Sequence, residues 1–199
     1  AFNTGGGGDS LDYERLRIDS SGRVMIGNTN ASTMFGDADD LVVGNTTGAH
    51  GITIITQNNT VGRLLFSDST SSGAATYQGQ INYNHSTEEL DLRTYTGGAI
   101  TFATGNTEKL RIDSNGMIGI GGVTPKTQNT FDAIEFGKTG FLGSQTGART
   151  VEMVSNAYYN SGWKYKENDV ASQYYQYQGY HAFGSATSGN ADAAISFSE

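Results

Sequence analysis

Apolar residues along this chain recur at every second position, in short runs cut by Gly, Asn, Asp and Ser. Leu90, Leu92 and Thr94 alternate with Asp91, Arg93 and Tyr95, which puts the apolar set on one face of an extended segment. Leu16 and Ile18 alternate with Arg15 and Arg17, and Val24 and Ile26 resume the alternation after Asp19, Ser20, Ser21 and Gly22. Asp and Ser side chains bond their own backbone and Gly accepts positive φ, so this stretch reads as a β-hairpin. Further strands are predicted at 51–56, 63–67, 79–83, 89–95, 99–103, 133–136, 150–156, 162–165, 172–178 and 180–184. No stretch long enough for a helix carries an apolar stripe at helical spacing, and Gly interrupts nearly every candidate. The glycine run 5–8 reads as a flexible or tightly turned lead-in.

The hairpin stretch repeats. Residues 14–27 return 94 positions later as 108–121, with nine of 14 positions identical. The second copy places Asn115-Gly116 at the turn, a stronger hairpin signal than Ser21-Gly22. A weaker echo links 99–102 to 194–197. The organisation expected from these repeats is a hairpin motif over 1–27 closing a preceding module, a first β module over 28–121, and a second over 122–199 that stops where a third motif would open.

Composition sharpens this reading. Gly, Thr, Ser and Asn supply 84 of 199 residues (42%), whereas Leu, Ile, Val and Phe supply only 38 (19%). So low an apolar share with a net charge of −8 normally signals disorder. Against that stand 11% aromatic residues, only 16% charged residues and a single proline, Pro125. The balance describes an all-β protein with a thin core, one that is stable when copies bury each other's faces. An obligate oligomer is therefore expected. Cysteine is absent, which excludes disulfide frameworks, zinc ribbons and thiol catalysis. Twenty acidic against 12 basic residues, with no basic cluster, argues against nucleic-acid binding through phosphates. No apolar run is long enough for a membrane-spanning helix, so membrane insertion is not expected.

The motif resembles one repeated in tail fibre proteins of tailed bacteriophages, of the form Glu-Arg-Met-Arg-Ile-Asp-Ser-Ser-Gly-Asn-Val-Gly-Ile-Gly. The first copy departs from it at Leu16, Arg23 and Met25, and the second at Lys109, Leu110, Asn115, Met117 and Ile118. The stretches 66–68 and 79–85, and 155–159 with 163–165, are similar to the strand pattern of the same family. The resemblance implies an elongated homotrimeric fibre of short strands and hairpins in two tandem modules. It implies a non-enzymatic virion protein, assembled in the host cytoplasm beside other tail proteins and supporting host attachment. Two alternatives stay open: a tailspike-type polysaccharide-degrading protein, and a virion connector or decoration fibre that binds no receptor.

Candidate chemistry is sparse. Tyr158, Tyr159, Trp163, Tyr165, Tyr174, Tyr175, Tyr177 and Tyr180 fall within 23 residues. Rings with polar tips suit contact with a host glycan or protein receptor. The same rings suit cross-strand pairing and packing at a trimer interface. His50, His85 and His181 are widely separated, and one inward His per chain would give three ligands on a threefold axis, with His85 the best placed. Asp37, Asp39 and Asp40 lack the spacing of an EF-hand loop. Glu88 and Glu89, adjacent on a strand, would point apart. The glycines at 44, 48 and 51 have no Lys-Ser/Thr ending and no following helix, so no phosphate loop is read there. Neither cofactor nor catalytic residue is assigned. Arg17 with Asp19, and Arg111 with Asp113, recur together and are expected to pair across chains at each joint.

Overall fold

The computed structural model describes residues 2–3, 14–30, 32, 34–69, 77–95 and 97–199. The glycine run 5–8 lies outside them. The fold is all-β, with seventeen strands and no α-helix among the described residues. It divides into two compact units, 1–57 and 58–199.

In the first unit, β1 (Phe2–Asn3), β2 (Glu14–Ile18), β3 (Val24–Ile26) and β4 (Leu41–Val43) form one sheet in that order. The β2–β3 hairpin turns as its residues predict. Asp19 Oδ1 accepts the N–H groups of Ser21 at 2.9 Å and Arg23 at 3.1 Å, and Gly22 takes φ +85°. Met25, 1% exposed, is the buried centre of this unit.

The second unit opens with a three-stranded antiparallel sheet of β5 (Val61–Phe66), β6 (Gly79–Asn84) and β7 (Glu89–Thr94). An eight-stranded sheet follows. It contains β8 (Ile100–Thr104), β9 (Thr107–Ile112), β10 (Ile118–Ile120), β11 (Phe131–Phe136), β12 (Gly140–Gln145) and β13 (Thr150–Ser155). After a separate hairpin of β14 (Ala157–Tyr159) and β15 (Trp163–Tyr165), the sheet is completed by β16 (Asp169–Tyr177) and β17 (Tyr180–Gly189). Its order is β17-β16-β13-β12-β11-β10-β9-β8.

The sequence repeat is a structural repeat in the same register. Leu16 faces Ile26 in the first copy as Leu110 faces Ile120 in the second. Asp113 Oδ1 accepts the N–H groups of Asn115 and Met117 just as Asp19 does at its own turn. Each hairpin is hydrogen-bonded on both sides. An antiparallel strand precedes it (β1 or β8), and a parallel strand follows it (β4 or β11). The motif is thus the middle of a four-stranded unit and bonds forward across positions 27 and 121. The parallel step needs a crossover, and in the second copy residues 121–130 provide it without a helix.

Where the copies differ, packing explains the difference. Met25 aligns with Gly119. A Cβ on Gly119 would lie 2.0 Å from the carbonyl oxygen of Val123, so the crossover backbone occupies that space in the second copy.

The main core lies on one face of the eight-stranded sheet. Phe131 and Ala133 on β11, Phe141 on β12, Val154 on β13 and Ala171 on β16 are all buried. Their cover is the β14–β15 hairpin and the segment 190–199. Trp163 meets Phe131, Phe141, Tyr159 and Phe197 at ring separations of 5.5, 5.8, 5.5 and 6.0 Å. Backbone bonds fix the cover: the N–H of Ile195 donates to Trp163 O at 2.8 Å, and Ser185 and Ser198 exchange two bonds of 2.9 Å. A buried ion pair joins sheet and cover, with Lys166 Nζ 2.7 Å from Glu135 Oε2.

One predicted strand is absent. Residues 51–57 form no strand, and Ile52, Ile54 and Ile55 are exposed. The alternating pattern is present there, but no neighbouring strand pairs with it.

Candidate functional site

Among the described residues the other face of the eight-stranded sheet carries no packed layer comparable to the core cover, and residues 92–95, 97 and 98 approach it only beside Ile100 and Ile112. Registered pairing lines up one residue from each strand into a single row. Ile100, Ile112, Ile118 and Ile134 run from β8 to β11. Leu142, Met153, Tyr174 and Phe183 continue it to β17. Every member is apolar or aromatic, and the row spans roughly 34 Å at strand spacing. A second row, Phe102, Leu110, Ile120 and Phe136, lies beside it over β8 to β11. Phe183 is 73% exposed, Met153 56% and Phe102 47%. A sheet face turned to water is ordinarily polar, and an open apolar stripe of this extent marks an interaction surface.

The three-stranded sheet repeats the situation on a smaller scale. On one face, Leu64, Ile81 and Leu92 are in register, flanked by Phe66, Tyr83 and Leu90. All six are exposed. Three strands need an apolar face packed on something to be stable in water. The opposite face is polar, with Arg63, Asn82 and Asp91 in register and Arg93 paired to Asp91 at 2.6 Å. It forms a shallow concavity of about 560 Å³.

The aromatic cluster does not form one surface. Tyr158 and Tyr165 are buried. The Tyr158 hydroxyl donates to Asp192 Oδ1 at 2.6 Å, while Lys126 Nζ lies 5.1 Å from the ring centre and 3.3 Å from the same carboxylate. Burial pushes the Tyr158 hydroxyl up to about 12. The Tyr165 hydroxyl donates to Thr187 O. Tyr159 and Trp163 are half-buried in the core cover. Tyr174 lies on the open face, its ring 4.9 Å from that of Phe183 and its hydroxyl 2.5 Å from His181 Nδ1. Tyr175, on the covered side, donates to Glu199 Oε1 at 2.6 Å. Tyr177 and Tyr180 face each other, exposed, at the β16–β17 turn. The cluster therefore divides between core, open face and hairpin tip.

The polar candidates also lie apart. His50 packs over Gly44, where an added Cβ would meet its ring at 2.6 Å. His85 stacks edge-on to Tyr83 at 4.9 Å, and His181 is on β17. Among the described residues no three His, Cys, Asp or Glu side chains gather as a metal site would require. Asp39 accepts Arg23 Nη1 at 2.9 Å, and Arg23 also holds Asp19 at 2.7 Å, which keeps the Asp19 carboxyl below its usual range. Within one chain Arg17 donates to Thr29 O at 3.3 Å, and Arg111 pairs with Glu108 at 2.6 Å. The open apolar rows left no single-residue mark in the sequence, because they exist only once eight strands are in register. No protein-family model, curated protein or solved structure matches the chain.

Proposed function

We propose that this chain is a segment of a homotrimeric bacteriophage tail fibre, elongated and non-enzymatic. It would serve as a virion structural element that supports host attachment and meets other tail proteins. The observation that carries the reading is the open apolar row across β8 to β17. Its members Leu142, Met153 and Phe183 are exposed and the other five are half-buried, and fully burying one exposed side chain of this kind contributes about 1.5–3 kcal/mol. Three copies around a common axis supply that burial, and they cover the apolar face of the three-stranded sheet in the same way. The twice-repeated hairpin, resembling the fibre motif, supports the same reading: each copy adds a four-stranded unit to a growing shaft. The exposed Tyr177 and Tyr180 at a hairpin tip suit weak contacts with a host glycan or protein, multiplied by the copies in each fibre.

The test is the mass of the purified chain in solution, by light scattering coupled to size exclusion. A particle of three times 21.1 kDa that elutes early for its mass is the expected result. A compact monomer overturns the proposal.

A further inference from the structure

Glu135 and Lys166 form the most secluded charged contact in the described residues, with side chains 1% and 5% exposed and Nζ 2.7 Å from Oε2. The fibre reading makes no use of this pair, and its surroundings are built in detail. Glu135 stands on the covered face of β11 between Gly119 and Phe141, its registered neighbours. Its second oxygen, Oε1, accepts the backbone N–H of Lys126 at 3.2 Å and Nε2 of Gln128 at 3.0 Å. Gln128 is itself held, because its Oε1 accepts the N–H of Tyr159 at 2.7 Å. The Lys166 backbone N–H donates to Asn156 O at 3.2 Å, which anchors the lysine where the cover meets the sheet.

The Lys166 amine lies 2.7 Å from one carboxyl oxygen and also donates to Gly140 O at 3.5 Å, two donors aim at the other oxygen, and both side chains are shut off from solvent. We propose that Lys166 and Glu135 condense spontaneously into an intramolecular isopeptide bond. A proton passes from Nζ to Oε2 along their contact, which leaves a nucleophilic amine beside an acid whose hydroxyl can depart. Nζ attacks Cδ. The negative charge that develops on Oε1 is met by the Lys126 N–H and Gln128 Nε2. The Cδ–Oε2 bond then breaks, and a further proton from Nζ leaves with Oε2. The ammonium and carboxylate become one amide and one water, with no oxidant, reductant or cofactor. Exclusion of solvent holds back the reverse hydrolysis.

The bond would join residues 31 positions apart and fix the cover to the sheet covalently. That suits a part held under tension, and the chemistry stands whether or not the chain trimerises.

Intact-mass spectrometry of the denatured full chain tests it. The expected mass is lower than the sequence mass by one water, and a protease digest should contain a branched peptide joining the segments that carry Glu135 and Lys166. Lys166→Arg and Glu135→Ala should each restore the full mass. A wild-type chain that keeps its full mass after prolonged incubation in the folded state overturns the proposal. So does a water loss that the digest places elsewhere, or one that persists in both variants. Because the wild-type mass decides first, a variant that fails to fold does not obscure the result.

Discussion

The two faces of the eight-stranded sheet are made by the same strands and differ only in what covers them. Along β13, Thr150, Glu152 and Val154 are buried, while Val151 and Met153 between them are 46% and 56% exposed. The pleat assigns them to opposite faces, yet the exposed set is as apolar as the buried one. On the covered side the chain supplies Trp163, Ile195 and Phe197 from its own later residues. On the open side no such layer lies over Leu142, Met153 and Phe183 among the described residues, and all three stay exposed. Alternation along a strand therefore says which residues share a face, and the presence of a lid decides which face becomes core. Under the fibre proposal, the second apolar face receives its lid from other copies of the chain.

The largest effect expected from breaking this comparison is on assembly. Ile134→Asp or Leu142→Lys puts a charge into the middle of the open row, and one such substitution per chain places three at a threefold interface. The particle should fall to about one chain's mass in light scattering while circular dichroism still reports β structure. If either variant keeps the full assembled mass, the open row is not the interface. On the covered side the loss should appear as stability instead. Phe141→Ala removes a ring that is 1% exposed and packed against Phe131 and Trp163. It should cost about 3–5 kcal/mol in denaturant unfolding. A cost below about 1 kcal/mol would mean that the covered face is no core.

A pH measurement sharpens the contrast further. Glu152 sits on the covered face between Gly143 and Tyr175, its registered neighbours, and burial raises its carboxyl from 4.5 to about 7. The native state thus holds this proton more tightly than the unfolded chain does. The stability it contributes is complete below pH 4.5, drains away between 4.5 and 7, and is gone above that. Asp19, Glu108 and Asp192 are shifted the opposite way, each by a basic or hydroxyl partner, and their contributions fade as pH falls. Comparing wild type with Glu152→Gln isolates the first effect. The variant should gain thermal stability relative to wild type at pH 8 and lose that advantage at pH 4. Equal melting curves at both values would show that Glu152 is solvated.

Much of this architecture was legible in the residues. Alternation located β7, β9, β13 and β16, and Asp, Ser and Gly located both motif turns. Strand β12 escaped because Gly140 and Gly143 interrupt its pattern. Both are small for close packing: a Cβ on Gly143 would meet the Phe141 ring at 2.5 Å. Residues 51–56 satisfied the pattern without a partner, since periodicity records a face and not a neighbour. The parallel pairing of β10 with β11 was hidden because crossovers leave no local signal. The aromatic cluster was legible as a cluster, but its division depended on β14 and β15 leaving the sheet. Tyr158 and Tyr159 turn inward against different partners, Asp192 for one and Phe131 with Trp163 for the other. The Glu135–Lys166 contact was invisible for the same reason, being made only when the cover closes.

The smallest effect concerns the turn that decides which residue reaches which face. A slip of one residue in the β9–β10 hairpin would carry Ile118 and Ile120 from the open face to the covered one. Asp113 guards against the slip with two backbone bonds from one oxygen, at 2.8 and 2.9 Å, while Gly116 supplies φ +80°. Asp113→Ala removes both bonds, one at the exposed Asn115 and one at the part-buried Met117 N–H, so about 1 kcal/mol of stability should be lost. The register should survive, because Ile112 opposite Ile118 and Leu110 opposite Ile120 still favour one side of the sheet. The same substitution at Asp19 should cost more than at Asp113, since Asp19 also holds Arg23, which in turn reaches Asp39. Equal losses at the two turns would mean that the arginine contributes nothing, as many exposed ion pairs do. A larger loss at Asp113, or altered amide exchange across β10 and β11, would show that the turn rather than the apolar row sets the register.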